Sequence, residues 1–323
     1  MADQVEHVRV ETWAVPSDAA EVRLDAFLRH CLPHLSRSAL ASVIDKKFFW
    51  IKDRPGKKGE KLRAGQSVTF RGPKEWLFTQ PPPAKQLDVP IIYEDTSFLV
   101  VNKPAGMATH GFSGRDTQTL ANFLVAHRPD LLTVGKSRWE PGLVHRLDHE
   151  TSGLVLVAKT QAAFDNLRVQ FRRREIKKLY WALVWGTTAA EGAIDYPIAH
   201  DGRDRRRMRV LRNAQRPRHA VKHWAALTHF RRIGQRRGLS LLEIDMATGV
   251  THQIRVHVAS IGHPIVGDLL YGAVNSARFG LNRHFLHARV LAFRHPEDGR
   301  TIRVEAELPA ELEQVLSRVK MKY

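Results

Sequence analysis

Apolar residues in the N-terminal quarter of the chain recur at helical spacing. Leu24, Phe27, Leu28 and Cys31 fall on one face, and Leu40, Val43 and Ile44 fall on another after Ser36, a candidate N-cap. The pattern predicts two short helices followed by a pair of strands. It breaks at Gly72-Pro73, and Pro81-Pro82-Pro83 and Pro90 follow. Successive prolines interrupt helices and sheet ladders alike, because each lacks a backbone N–H and fixes φ. The expected division is a small domain over 1–75 with its core near 20–72, a proline-rich linker over 76–90, and a main domain over 91–323. Beyond the linker the pattern turns to strands, with β-type runs at 91–93, 98–101, 154–157, 180–184, 241–245 and 302–306. Helical stretches are expected near 117–127, 161–172 and 252–261. Many strands in hairpin-like succession with a few inserted helices predict an α+β fold with a mixed, mainly antiparallel sheet.

One stretch does not fit a plain strand. In Gly142-Leu143-Val144-His145-Arg146-Leu147-Asp148-His149-Glu150-Thr151-Ser152-Gly153-Leu154-Val155, a charged cluster sits between two apolar runs. Desolvating His145, Arg146 and Asp148 without partners is strongly unfavourable, so these residues belong in a cleft. Asp148, with two cationic neighbours just before it, is the candidate catalytic residue.

Composition narrows the chemistry. The formal net charge is +18 and the pI is near 10.4, so a phosphate-bearing partner, nucleic acid above all, is the default expectation. No run of about 18 apolar residues is present to span a bilayer, and the polar start Met1-Ala2-Asp3-Gln4 is unlike a secretory signal. A cytoplasmic protein with no membrane association is expected. Cys31 is the sole cysteine, which excludes an intramolecular disulfide and a thiolate zinc cluster. No histidine falls in a His-Glu-x-x-His pattern, and the spacing of His252 and His257 does not put both on one helical face. Phosphate-binding glycine loops are absent, and Gly111-Phe112-Ser113-Gly114 lacks the spacing of a hydrolase elbow.

His145-Arg146-Leu147-Asp148-x-x-Thr151-Ser152-Gly153 resembles the central motif of the RluA-type pseudouridine synthases, which isomerise uridine in RNA. Thr248-Gly249-Val250-Thr251-His252-Gln253-Ile254-Arg255-x-His257, followed by Gly262-His263-Pro264-Ile265-x-Gly267-Asp268-x-x-Tyr271, is similar to the family's C-terminal motif. The resemblance implies that Arg255 partners Asp148. Val250 departs from it, standing where the family usually has arginine. Lys178-Leu179-Tyr180-x-Ala182 resembles the segment whose tyrosine stacks on the target base and helps remove the C5 proton, a role implied here for Tyr180. Asn102-Lys103-Pro104-x-Gly106 resembles the opening signature of the same domain. Arg146 is implied to fill the stack vacated by an extruded nucleotide, with His145 beside it as an RNA contact. Near the N-terminus, Arg23-Leu24-Asp25, Leu35-Ser36-Arg37 and Lys61-Leu62-Arg63 resemble an S4 RNA-binding domain, with Arg37 as a contact. That family usually turns on a Val-Asn-Gly-like segment, which residues 49–54 replace. The implied architecture is the pseudouridine-synthase α+β fold carrying a small S4-like α+β domain.

The chemistry fits one carboxylate. The C1′–N1 bond breaks, the base turns, and C1′ joins C5. Asp148 can attack C1′ or take a sugar proton, and the departing base is itself the group that returns, so neither cofactor nor metal is required. A carboxylate in a dry pocket needs a cation to stay ionised, and a guanidinium also orients its oxygens. The basic runs 172–178, with Arg173, Arg174 and Lys178, and 203–209, with Arg205, Arg206 and Arg207, flank Tyr180 and are expected on the RNA backbone. A glycoside hydrolase would need a second carboxylate, for which only Glu150 lies near. A non-catalytic RNA-binding or ribosome-assembly protein would have no need of Asp148 and Arg255 together. The domain pairing implies large-subunit ribosomal RNA as substrate, with transfer RNA as the alternative, and a cleft complete within one chain fits a monomer.

Overall fold

The computed structural model describes residues 8–17, 21–33, 35, 37–111, 113–212, 221–272 and 279–323. They form two compact units. The first comprises Met1–Leu87, His110–Leu132 and Lys136–Pro141; the second comprises Asp88–Thr109, Thr133–Gly135 and Gly142–Tyr323.

In the first unit, β1 (Val8–Ala14), α1 (Leu24–Cys31), α2 (Arg37–Asp45), β2 (Phe49–Ile51), β3 (Arg54–Pro55) and β4 (Ser67–Pro73) give a sheet of order β1-β4-β2-β3. The two expected helix faces supply its core: Leu24, Phe27, Leu28, Leu40, Val43 and Ile44 are buried with Phe49 and Phe70. Strand β1, whose alternating pattern was not read as a strand, pairs antiparallel along β4. The N-cap assigned to Ser36 lies outside the described residues. The replaced turn over 49–54 still closes a hairpin, with Ile51 opposite Arg54 and Lys52 at φ 56°.

The expected domain division needs correction. The stretch over 76–90 is no free linker. Trp76 and Leu77 are buried in the first core, and α3 (Leu120–His127) fastens the proline run, its Asn122 side chain donating to the Pro82 carbonyl at 2.7 Å. Thr119 caps α3 through a reciprocal box with Asn122. Residues 110–132 and 136–141 therefore belong with the N-terminal unit, and the second unit begins at Asp88 rather than 91.

The second unit is built from β5 (Ile91–Glu94), β6 (Phe98–Lys103), β7 (Ser152–Ala158), α4 (Gln161–Arg173), β8 (Lys177–Trp185), β9 (Glu191–Ile194), β10 (Ile198–His200), β11 (Met208–Val210), β12 (His223–Trp224), β13 (Thr228–Arg236), β14 (Leu239–Met246), α5 (Gln253–Ser260), β15 (Leu286–Arg294), β16 (Thr301–Glu305) and α6 (Ala310–Val319). Nine described strands form one sheet, ordered β5-β6-β7-β15-β8-β14-β13-β9, with β16 paired to β15. Among the described strands of this sheet only the β7–β15 pair is parallel, which makes it the mixed, mainly antiparallel sheet expected. A small sheet β11-β10-β12 stands apart from it. Strand β7 is buried along its whole length, which its continuous apolar run requires. Phe98, Val100, Leu154, Leu156, Phe164, Leu167, Leu291 and Phe293 build the main core. Among the described residues no helix is long and apolar enough to cross a membrane.

Candidate active site

The charged stretch 145–151 forms the loop that feeds β7, the strand beside β15 at the middle of the sheet. Two devices hold it. From below, Thr109 Oγ1 donates to the Leu147 carbonyl at 2.8 Å and accepts the Leu147 N–H at 3.1 Å, while the buried Lys103 ammonium donates to the carbonyls of Pro104, Met107 and His149 at 2.8, 2.7 and 3.3 Å. Burial pulls Lys103 down to about 7. From the far side, Thr151 Oγ1 bonds His284 Nε2 at 2.8 Å and Ser152 Oγ bonds His287 Nδ1 at 2.9 Å. Burial pushes those two histidines to about 3 and 4, so both rings are neutral in the fold. Gly153 is required here. It adopts φ +120°, and a Cβ on it would lie 2.3 Å from the Ala288 carbonyl oxygen.

These restraints present Asp148 to a cleft of about 710 Å³ whose lining includes Arg146, Lys178, Tyr180, Trp224 and Arg255. Arg255 comes from the first turn of α5, and its Nη1 lies 3.4 Å from Asp148 Oδ2. Its other edge is fixed: Nε and Nη2 donate to Asp268 at 2.7 and 2.9 Å. Asp268 is completely buried and also accepts the N–H groups of Leu270 and Tyr271. Burial alone would raise its pKa, but the hydrogen bonds and charge of Arg255 outweigh that and hold the carboxyl below its ordinary value. The guanidinium is thus oriented by a buried bidentate partner and offers its free corner to Asp148.

The rest of the C-terminal motif builds this corner. Gln253 accepts from the Thr248 hydroxyl and the Val250 N–H and donates to Leu227 O and Thr228 Oγ1, and His257 bonds Thr228 Oγ1 and the Tyr196 carbonyl. His252, at positive φ, opens α5. Its Nδ1 is 2.9 Å from the Tyr271 hydroxyl, its Nε2 is 3.9 Å from Asp148, and burial keeps its pKa below the ordinary histidine value. Val250 packs on the apolar cluster of Ile198, Met208, Ala226 and Val256, which accounts for an aliphatic residue at that position.

Tyr180 lies in β8 between Ile244 of β14 and Ala288 of β15. Only 4% of it is exposed, and burial, then the Asp148 charge, raises its phenol well above the ordinary tyrosine value. Lys178 precedes it by one strand repeat and faces the same side.

Of the residues expected from sequence, Asp148, Tyr180, Arg255, Arg146, Arg174 and Lys178 come together on the cleft, and His145 lines it as well. The expectation for His145 is corrected. Its Nε2 accepts the Leu156 N–H at 2.9 Å and its ring rests on Phe171, and burial, with the charges of Lys178 and Arg168, lowers its pKa to about 3. It lines the cleft as a neutral ring rather than as a charge. Arg173, Arg205, Arg206 and Arg207 fall outside the cleft lining. Arg206 is held by Asp204 at 2.8 Å and Arg207 lies over the Tyr271 ring. Arg37 is exposed in the first unit, where it lines a shallow groove with Arg23, Arg29 and Lys58. Sequence reading missed the roles of Asp268, His284 and His287 and the place of Trp224 on the cleft lining. Asp268 stood in the quoted motif, but its partner could not be read there.

The comparisons with known proteins agree with this geometry. A family model described as RNA pseudouridylate synthase matches residues 97–260. An uncharacterized RNA pseudouridine synthase of Synechocystis sp. is 36% identical over 98% of this chain and 94% of its own length. The ribosomal large subunit pseudouridine synthase D of Neisseria meningitidis serogroup A is 37% identical over 95% of this chain and 81% of its own. The solved structure of human RNA pseudouridylate synthase domain containing 1 matches with a TM-score of 0.53 at 26% identity, covering 72% of this chain and 95% of that one. Four motifs in order, a sheet of the matching fold and relatives that run nearly end to end lead to one conclusion: this chain belongs to the RluA-type family of RNA pseudouridine synthases.

Proposed function

We propose that the protein converts specific uridines of structured RNA to pseudouridine, with large-subunit ribosomal RNA as substrate and Asp148 as the catalytic carboxylate. The observation that carries this reading is the Asp268–Arg255–Asp148 chain, in which a buried bidentate pair aims a guanidinium at a carboxylate on the cleft surface. The name of the Neisseria relative supports the ribosomal substrate.

In this reading the target nucleotide leaves its stack and enters the cleft, and Arg146, exposed at the rim, fills the gap with its planar guanidinium. Asp148 attacks C1′ or removes a sugar proton, and the C1′–N1 bond breaks. The uracil turns against the Tyr180 ring and C5 joins C1′. The buried phenol stays protonated, so Tyr180 acts as a stacking surface. Asp148 is freed when C5 displaces it from C1′, or when it returns the sugar proton it took; the free carboxylate then takes the C5 proton and passes it to solvent, while N1 of the base gains a proton from solvent. Arg174 and Lys178 hold RNA within the cleft, with Arg173, Arg205, Arg206 and Arg207 as outer backbone contacts. The first unit, with Arg37 beside Arg23, Arg29 and Lys58, acts as the S4-like RNA grip.

Carbodiimide-based pseudouridine mapping on unmodified ribosomal and transfer RNA, incubated with the wild-type protein or with Asp148→Ala, tests this reading. New pseudouridines in large-subunit RNA made only by the wild type are the expected result. Sites confined to transfer RNA would overturn the substrate. Equal conversion by both proteins, or none by either, would overturn the catalytic role.

A further inference from the structure

The lysine on the cleft wall meets an aromatic ring but no acceptor among the described residues. Lys178 is 8% exposed, and among the described residues no hydrogen bond or ion pair engages its ammonium. Its Nζ sits 5.7 Å from the centre of the Phe171 ring. The nearest carboxylate that acts on it, Asp245, forms no ion pair, and burial pulls the lysine down to about 8. The last turns of α4 and the start of β8 bring Arg168, Arg172 and Arg174 onto the same wall. Arg168 is turned away from this role, because its Nη1 donates to the Val144 carbonyl at 2.9 Å. Asp148 is the sole carboxylate among the residues lining the cleft, and Arg255 already faces it. The positive wall is therefore uncompensated.

Opposite stands Gly249. A Cβ built on it meets nothing within 4 Å except Lys178 Nζ, at 3.9 Å. Gly249 thus bounds the Lys178 ammonium on one side, and the cleft that both residues line is open to it on the other. The ammonium is not among the fully enclosed polar atoms that lack a partner, so it stays in contact with the cleft, and an RNA acceptor entering there replaces its water. A phosphate is favoured over an uncharged acceptor such as a uracil carbonyl, because the exposed Arg172 and Arg174 add their charge beside Lys178 on the cleft lining.

We propose that Lys178, with Arg174 and Arg172 at the rim and Gly249 opposite, forms a subsite for one RNA phosphodiester next to the target uridine. This inference rests on the proposed RNA substrate and adds to it a fixed point for the strand. Because Lys178 and Tyr180 share one face of β8, a phosphate held at the first sets where the base attached to that strand can reach the second.

The test pairs a protein variant with a phosphate variant. A uridine-containing stem–loop of large-subunit ribosomal RNA is made with a neutral methylphosphonate at each loop linkage in turn. Filter binding gives the affinity and tritium release from C5 gives turnover, read separately on the same samples. Lys178→Met is expected to weaken binding of the unmodified RNA by about 10-fold or more, with the salt slope reduced by about 1. At one linkage, methylphosphonate should cost the wild type a similar factor and the variant nothing. Gly249→Val, which crowds the Lys178 ammonium from the other side, should weaken binding at that same linkage, and it serves equally if Lys178→Met does not fold. Independent, multiplying losses at every linkage in the folded variants would overturn the subsite. Tritium release with such multiplying losses would remove the subsite alone. Non-additivity without tritium release would remove the isomerase reading and keep the subsite.

Discussion

Replacing Asp268 tests whether Asp148, the carboxylate proposed to act on the sugar, depends on a residue it does not touch. Asp268 takes hydrogen bonds from Arg255 Nε and Nη2 and from the Leu270 and Tyr271 N–H groups. Its side chain has no exposed surface, and that of Arg255 is 9% exposed. Removing one member of such a pair strands a buried charge, which costs about 3–5 kcal/mol. Asp268→Ala should therefore lower the melting temperature by on the order of 10 °C. Asp268→Asn is the sharper probe. Its carbonyl can still accept from the loop N–H groups, but its amide NH₂ opposes Arg255 Nε, and the guanidinium must turn. The 3.4 Å contact to Asp148 is already long, so a small rotation breaks it. A displacement of about 1 Å at a reacting group costs on the order of 100-fold in rate. Single-turnover tritium release at saturating enzyme should fall by that factor while RNA affinity holds, because Asp268 offers no surface to RNA. Wild-type turnover in a folded Asp268→Asn protein would refute the reasoning, and so would a loss of affinity that matches the loss of rate.

Three further outcomes follow from the same geometry. His145, His284 and His287 titrate at about 3, 3 and 4 in the fold, below the unfolded value near 6.5; the unfolded chain binds more protons in that window, so stability present at about pH 7.5 should fall by about 4 kcal/mol on reaching pH 5.5, at about 1.4 kcal/mol each. Urea unfolding at the two pH values measures it, and a flat profile would contradict three neutral buried rings. Gly153→Ala forces a Cβ to 2.3 Å from the Ala288 carbonyl oxygen at φ +120°, so the β7–β15 pair should part and the unfolding free energy, read by urea denaturation, drop by more than about 3 kcal/mol; wild-type stability would exclude that contact. Arg146→Ala should slow conversion of a uridine in a stacked loop far more than the same uridine in a short unstructured strand, because only the former leaves a gap to fill, and equal slowing on both would assign Arg146 to simple phosphate binding.

How far the site could be read from sequence depended on the range of each interaction. Helix faces and strand runs are local periodicities, and α1, α2, α4, α5 and most of the central strands emerged where those periods set them. Asp148, Tyr180 and Arg255 were legible because they stand in motifs similar to a known family, although nothing in the motifs themselves says that Arg255 grips Asp268 with two of its nitrogens and Asp148 with one. His145 shows a related gap. A histidine next to an arginine in a charged stretch reads as one more charge for the cleft, and only the fold reveals that its ring is neutral and accepts the Leu156 N–H. The domain boundary failed because prolines signal the end of a ladder and not the end of a packing unit; Asn122, far along the chain, holds the Pro82 carbonyl. The pair Thr151-Ser152 makes the same point about motifs. Their hydroxyls bond His284 and His287, more than a hundred residues away, and so fix the loop that carries Asp148. A motif that looks like a catalytic signature is in part a record of distant packing, and for that reason the side chains that hold Asp148 in place could be found only once β15 had been laid beside β7.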